Sequence, residues 1–298
     1  MFNKNYIQIY KGKQFYKPPP NFIKKKSKVI IFDLDETLGS FSDLEILWCG
    51  IIEYNKNNNI DFQEDEDFFH KVFDLYPEFL RYGILNILEY LQYKKNMGEC
   101  DKVYIYTNNQ LPKAWTKMII HYLEKKQNCL GLFDELICAF KINKKIIEPK
   151  RTTNMKTYSD FIRCSLLSRN TELCFVDNTY FEKMKHEKVY YIQPKPYYHC
   201  LITSDIIDRF ISSSLHNDSP NKIDYKDFLY LWFVNHNILN TTNKSVSEIE
   251  RDLIVSQKMM YYIQEFFYLT TKKNKTQKIR PQIIGRFTKK NREMNGII

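Results

Sequence analysis

The chain has 298 residues, 43% of them hydrophobic, and a formal charge of +10. That apolar share supports a folded core and excludes wholesale disorder, while no window approaches the about 18 uninterrupted apolar residues of a membrane span. Seven scattered cysteines with no Cys-x-x-Cys pair exclude a disulfide scaffold and a zinc ribbon, and the absence of an apolar leader after Met1 adds to the expectation of an intracellular protein.

The charge is unevenly placed. Residues 1–28 hold eight lysines and no acid, and residues 271–298 hold nine cations against Glu293, which leaves −6 for residues 29–270. The expected organisation is a basic N-terminal arm (1–27), an α/β domain (28–205) with an insert at about 39–80, a helical extension (206–270) and a basic tail (271–298). Basic arms bind nucleic acid or other acidic partners by counterion release. Thirty-six lysines against two alanines also fit a bias toward A/T-rich codons.

In chain order, Pro18-Pro19-Pro20 makes a stiff, extended arm. Val29-Ile30-Ile31-Phe32 is a continuous apolar run, the mark of a strand buried on both faces of a parallel sheet. Further runs at Val103 to Tyr106, Leu136 to Phe140, Leu173 to Val176 and Val189 to Ile192 predict four more strands. Between them Phe68 to Leu75 reads as helical, residues 81–93 present Ile84, Ile87, Leu88 and Leu91 on one face, and residues 112–126 follow Pro112 with Trp115, Met118, Ile119, Tyr122 and Leu123. Strands alternating with helices imply a three-layer α/β fold. Residues 222–239 and 247–270 predict two later helices, the second with a capping box at Ser247 and Glu250 and a stripe of Leu253, Met260, Ile263 and Phe267.

Three strand ends carry chemistry. Asp33 and Asp35 project to the same side of an extended chain, at the carboxyl end where open α/β sheets bind ligands. Carboxylates converging there repel unless a cation offsets them, so the pair predicts Mg²⁺. The second strand ends in Thr107-Asn108-Asn109, a hydroxyl and amides before a helix, which suits a phosphate. The fourth ends in Asp177-Asn178-Thr179, again oxygen ligands. A transferring phosphoryl group also needs a cation: Lys156 precedes a predicted helix, with Lys150 and Arg151 as rivals.

The strand running into Asp33-Leu34-Asp35-Glu36-Thr37-Leu38 resembles the first motif of the haloacid dehalogenase-like (HAD) superfamily, a Rossmannoid fold with a cap insert. Its Asp-Glu-Thr form is similar to the carboxy-terminal-domain phosphatases of RNA polymerase II and the NLI-interacting-factor-like phosphatases. By that resemblance Thr107 falls on the second motif, Lys156 on the third, and Asp177-Asn178 on the fourth, where Asp-Asn is the usual form. Leu80-Arg81-Tyr82-Gly83 resembles the family's Arg-Pro-Gly stretch with Tyr82 for proline. Two positions depart from the family: Asn108-Asn109 stands where Ala-Ser is usual, as in HAD enzymes acting on small molecules or polynucleotide ends, and the interval from Lys156 to Asp177 is long.

The resemblance implies a covalent mechanism. Asp33 is the nucleophile and Asp35 the general acid and base; Thr107, Asn108 and Lys156 hold the phosphate. Mg²⁺ sits among Asp33, Asp35, and Asn178 or Asp177. The substrate it implies is a phosphorylated protein tail. A polynucleotide 3′-phosphatase and a catalytically silent HAD-like binding module are the competing readings. No cysteine has the Gly/Arg loop that a Cys-dependent phosphatase requires.

Overall fold

A computed structural model describes residues 6–16, 27–60, 64–168, 170–216 and 222–270; the proline run and the basic tail lie outside them. Its centre is β2 (Lys28–Phe32), buried throughout as the apolar run predicts. With β1 (Ile7–Lys11), β3 (Lys102–Tyr106), β4 (Glu135–Ile137), β7 (Glu172–Val176) and β8 (Val189–Pro194) it forms a six-stranded sheet in the order β1-β8-β7-β2-β3-β4. All pairings are parallel except β1 with β8.

Alternate residues of the strands feed two separate apolar clusters. Ile30, Phe32, Val103, Ile105 and Val176 join one; Val29, Ile31, Tyr104, Leu173 and Phe175 join the other. The first is shared with α1 (Ser42–Asn57), α2 (Glu66–Asp74), α3 (Ile84–Asn96), α4 (Lys113–Lys126), α6 (Thr203–Ser212), α7 (Lys222–Asn235) and α8 (Val246–Thr270). Among the described α-helices only α5 (Tyr158–Ser165) serves the second, through Phe161 and Cys164, beside Met184 from a short 3-10 turn. Helices on both faces make the three layers, very unequally filled.

Several boundaries differ from expectation. Part of the presumed arm is β1, an edge strand whose Ile9 pairs with Ile192. The strand expected at Leu136 to Phe140 stops at Ile137, because buried Arg151 takes the Cys138 carbonyl (2.7 Å) and Ile147 N–H takes that of Phe140 (2.9 Å). The chain then turns through a hairpin, β5 (Lys141–Ile142) with β6 (Lys145–Ile146). Helices α1 and α2, from the presumed insert, give Leu44, Leu47, Phe69 and Phe73 to the main core. Helix α7 ends at Asn235, and left-handed Asn237 (φ 55°) lets Ile238 N–H reach Phe233 O, as in a Schellman cap. The capping box of α8 lies two residues early: Ser245 N–H and Oγ both donate to Glu248 (2.9 and 2.7 Å). Its buried stripe is accordingly Val255, Met259, Ile263, Phe266 and Phe267. Helix α3 buries the apolar residues expected of it, and α4 all but Met118, which is half-buried at the edge of its face.

The turn after β2 is fixed by Gly39, where a Cβ would stand 2.5 Å from Phe79 O and 2.4 Å from the Phe41 ring. This close approach lets Ser40 N–H donate to Phe79 O and Arg81 N–H to Leu38 O, joining the turn to the segment before α3.

Candidate functional site

Strand register assembles the site. Phe32 is aligned with Val176 on one side and Ile105 on the other, so three parallel strands run out together. Asp33 therefore lies beside Asp177, with Thr107 just past β3 on the opposite flank.

Lys156 is the hub. Its Nζ donates to Asp33 Oδ1 (2.5 Å) and Asp177 Oδ2 (2.6 Å), with only 2% of the residue exposed. The rings of Tyr106, Phe175 and Phe181 stand 5.7, 5.9 and 5.4 Å from the ammonium, as cation–π neighbours. Burial by itself would lower the Lys156 pKa, but Asp177 and Asp33 outweigh it and raise it, so the ammonium is held charged. The next residue, Thr157, caps α5 by accepting from Asp160 N–H (3.0 Å), which fixes the backbone that delivers the lysine.

The rivals do other work. Lys150 is exposed. Arg151 is buried and bolts loops together, donating to the carbonyls of Thr107 (3.1 Å) and Cys138 and to Asn108 Oδ1 (2.7 Å).

The turn at 35–37 forms the other wall. Glu36 adopts a left-handed conformation (φ 53°), unusual outside glycine and asparagine. Arg81 holds it there: Nε donates to Thr37 O (2.6 Å) and Nη2 to Glu36 O (2.5 Å) and Lys195 O (2.9 Å). Thr37 Oγ1 then donates to Asp33 Oδ2 (3.1 Å) and accepts from Asn178 N–H (3.1 Å). Asn109, not Asn108, reaches the acids: its Nδ2 donates to Asp35 Oδ2 at 2.8 Å. Asn108, expected at the phosphate, has its side-chain oxygen on Arg151 instead. Thr107 is buried and its Oγ1 accepts from Asn109 N–H (3.0 Å).

Asp33 acts on each of Asp35, Glu36 and Asp177, and Lys156 pairs with two of these four acids. Burial, with a smaller push from Asp33, raises Asp35 to about 6. Burial likewise raises Asp177 to about 7 against the pull of Lys156, and raises Glu36 to about 7 with help from Asp35 and Asp33. Such acids are incompletely compensated and favour an added cation.

Oxygen donors that would hold one lie together beside Asp33. One terminal atom of the Asn178 amide lies 3.2 Å from Asp33 Oδ2, 3.1 Å from the Asp35 carbonyl oxygen and 2.8 Å from Thr37 Oγ1. As nitrogen it donates to all three. As oxygen it lies from Asp33 Oδ2 and from the Asp35 carbonyl oxygen at nearly the about 2.9 Å that separates neighbouring ligands of octahedral Mg²⁺. Among the described residues no three His, Cys, Asp or Glu side chains cluster as metal ligands; the donors here are a carboxylate, a carbonyl and an amide. Asp177 is occupied elsewhere, with Oδ2 on Lys156 and Oδ1 accepting from Thr179 N–H (2.8 Å).

The arrangement therefore offers a carboxylate fixed at both oxygens, a second acid two residues on with a raised pKa, and a permanent cation between strands. Among the described residues no helix is long and apolar enough to cross a membrane. Comparison with protein-family models, curated proteins and solved structures returns no match to this chain.

Proposed function

We propose that the protein is a magnesium-dependent phosphomonoesterase of HAD-like type, with Asp33 as nucleophile and a phosphoserine or phosphothreonine in a protein tail as its substrate. In this reading residues 39–80 act as the cap and residues 206–270 as a helical extension. The observation that carries it is Asp33 itself: one carboxylate oxygen lies on Lys156 and the other on Thr37 beside Asn178, with Asp35 two residues away.

Asp33 Oδ1 attacks phosphorus in line. The bond to the leaving oxygen breaks as Asp35 delivers its proton, and an aspartyl-phosphate remains. Asp35, now a carboxylate, takes a proton from water, whose oxygen attacks the same phosphorus; Asp33 departs as carboxylate and inorganic phosphate is released. Asp35 must be protonated for the first half and ionised for the second, and a pKa of about 6 suits both. Lys156 and Thr107 hold phosphoryl oxygens, while Asn109 aims Asp35. A magnesium ion held by Asp33 Oδ2, the Asp35 carbonyl and Asn178 supplies neutralisation of the phosphoryl charge.

The test is hydrolysis of p-nitrophenyl phosphate by the full chain with and without Mg²⁺, beside Asp33→Asn. Turnover that requires Mg²⁺ and vanishes in a variant of unchanged circular dichroism is the expected result. Full activity in Asp33→Asn would refute the nucleophile.

A further inference from the structure

The β5–β6 hairpin turns through Asn143 and Lys144, both left-handed (φ 48° and 67°), the geometry of a type I′ turn. Glycine is the residue at ease in the second position, so a lysine there carries a conformational cost. Beside the hairpin lies a cavity of about 470 Å³. It presents Lys141 and Lys144, four side-chain amides (Asn108, Gln110, Asn143 and Asn154) and no acid. Arg151 stands behind Asn108, and its buried Nε has no hydrogen-bond partner among the described residues. Lys113, Lys117 and Glu148 also act on neighbouring Cys138, leaving the local balance positive. Asn108 connects this cavity to the acid cluster, since it sits between Thr107 at the end of β3 and Asn109 on Asp35.

We propose that this cavity receives a second phosphate of the substrate, so that the protein prefers a peptide phosphorylated at two nearby positions. The inference rests on the phosphatase reading above. An ammonium pair framed by amides suits a dianion, which takes charge-assisted hydrogen bonds from both kinds of donor. Peptide is favoured over polynucleotide for two reasons. Strand binding of nucleic acid relies on aromatic faces for bases, yet the single ring in the lining, Phe140, has Lys141 Nζ 5.0 Å from its centroid. The body around the site is also acidic, which suits two local phosphates better than a long polyanion.

The full chain carrying Asp33→Asn, with Mg²⁺ present, is titrated by fluorescence polarisation with a labelled peptide bearing one phosphoserine. The same peptide with a second phosphoserine two or three residues away follows. The doubly phosphorylated peptide is expected to bind about tenfold more tightly, the weight of one charge-assisted hydrogen bond. Adding K141Q and K144G removes that gap; glycine suits the left-handed position, so the hairpin is kept. Equal affinities before substitution, or a gap that survives it, would overturn the proposal. So would a 3′-phosphorylated oligonucleotide that binds more tightly than either peptide and is weakened by the same substitutions. Turnover of p-nitrophenyl phosphate by the unsubstituted chain reports separately: its absence beside a preserved gap sinks the phosphatase reading and leaves the second subsite standing.

Discussion

The Asn109 side-chain amide donates to Asp35 Oδ2 at 2.8 Å, tying the end of β3 to the turn after β2. This hydrogen bond favours the ionised carboxyl and lowers the Asp35 pKa against the larger upward push of burial. Asn109→Ala is expected to raise it above about 6, moving the limb of the pH–rate profile governed by Asp35 to higher pH by roughly one unit. A profile unchanged in position would show that Asn109 does not tune this acid.

Lys156→Met removes the cation that Asp33 and Asp177 share. Breaking a buried pair from one side costs about 3 kcal/mol or more when the remaining charge stays buried. Here Asp177, already raised by burial, can escape by protonation, so the native state binds a proton that the unfolded state does not. Stability of the variant therefore falls as pH rises. Thermal melts should show a loss in Tm that is small near pH 5 and large near pH 8. An equal loss at both would mean the two carboxylates find another partner.

The same sign governs the metal-free native protein. Asp35 at about 6 and Asp177 at about 7 lie above their ordinary 3.8, so between about pH 4 and about pH 7 the folded state holds extra protons and loses stability as they leave. A bound divalent cation takes the place of those protons. The rise in Tm produced by Mg²⁺ is thus expected to grow from pH 5 to pH 8. A rise that shrinks over that range would place the ion away from these acids.

Much of the fold was legible because its strongest signals are local. Val29 to Phe32 announces a strand covered on both sides, and Asp33 and Asp35 mark its end; register alone then brings Asp177 alongside. What escaped was decided at long range. Strand β1 is half-buried at an edge, and its partner β8 lies far along the chain, so residues 7–11 carry no continuous apolar run. Of two neighbouring amides, Asn108 and Asn109, the choice of which meets the acids is made by Arg151, which captures the first. Ser245 and Ser247 each precede a glutamate by three residues, giving two equivalent capping frames; the burial of Val255 and Met259 belongs to the earlier start. Arg81 carries no sequence signal beyond a motif, and its hold on the carbonyls of residues 36 and 37 exists only because Gly39 lets that segment come close.

Lys28 opens β2 and Asp33 follows its last residue, about 16 Å away along an extended strand. At the opening end Lys28 Nζ donates to Phe267 O (3.3 Å) and the ring of Phe15 lies 5.9 Å from that of Phe266. The places where the described chain gives way to the lysine-rich stretches after Tyr16 and after Thr270 are thus gathered at one corner. The two exits from the described chain thus lie at the end of β2 opposite to the cluster of carboxylates.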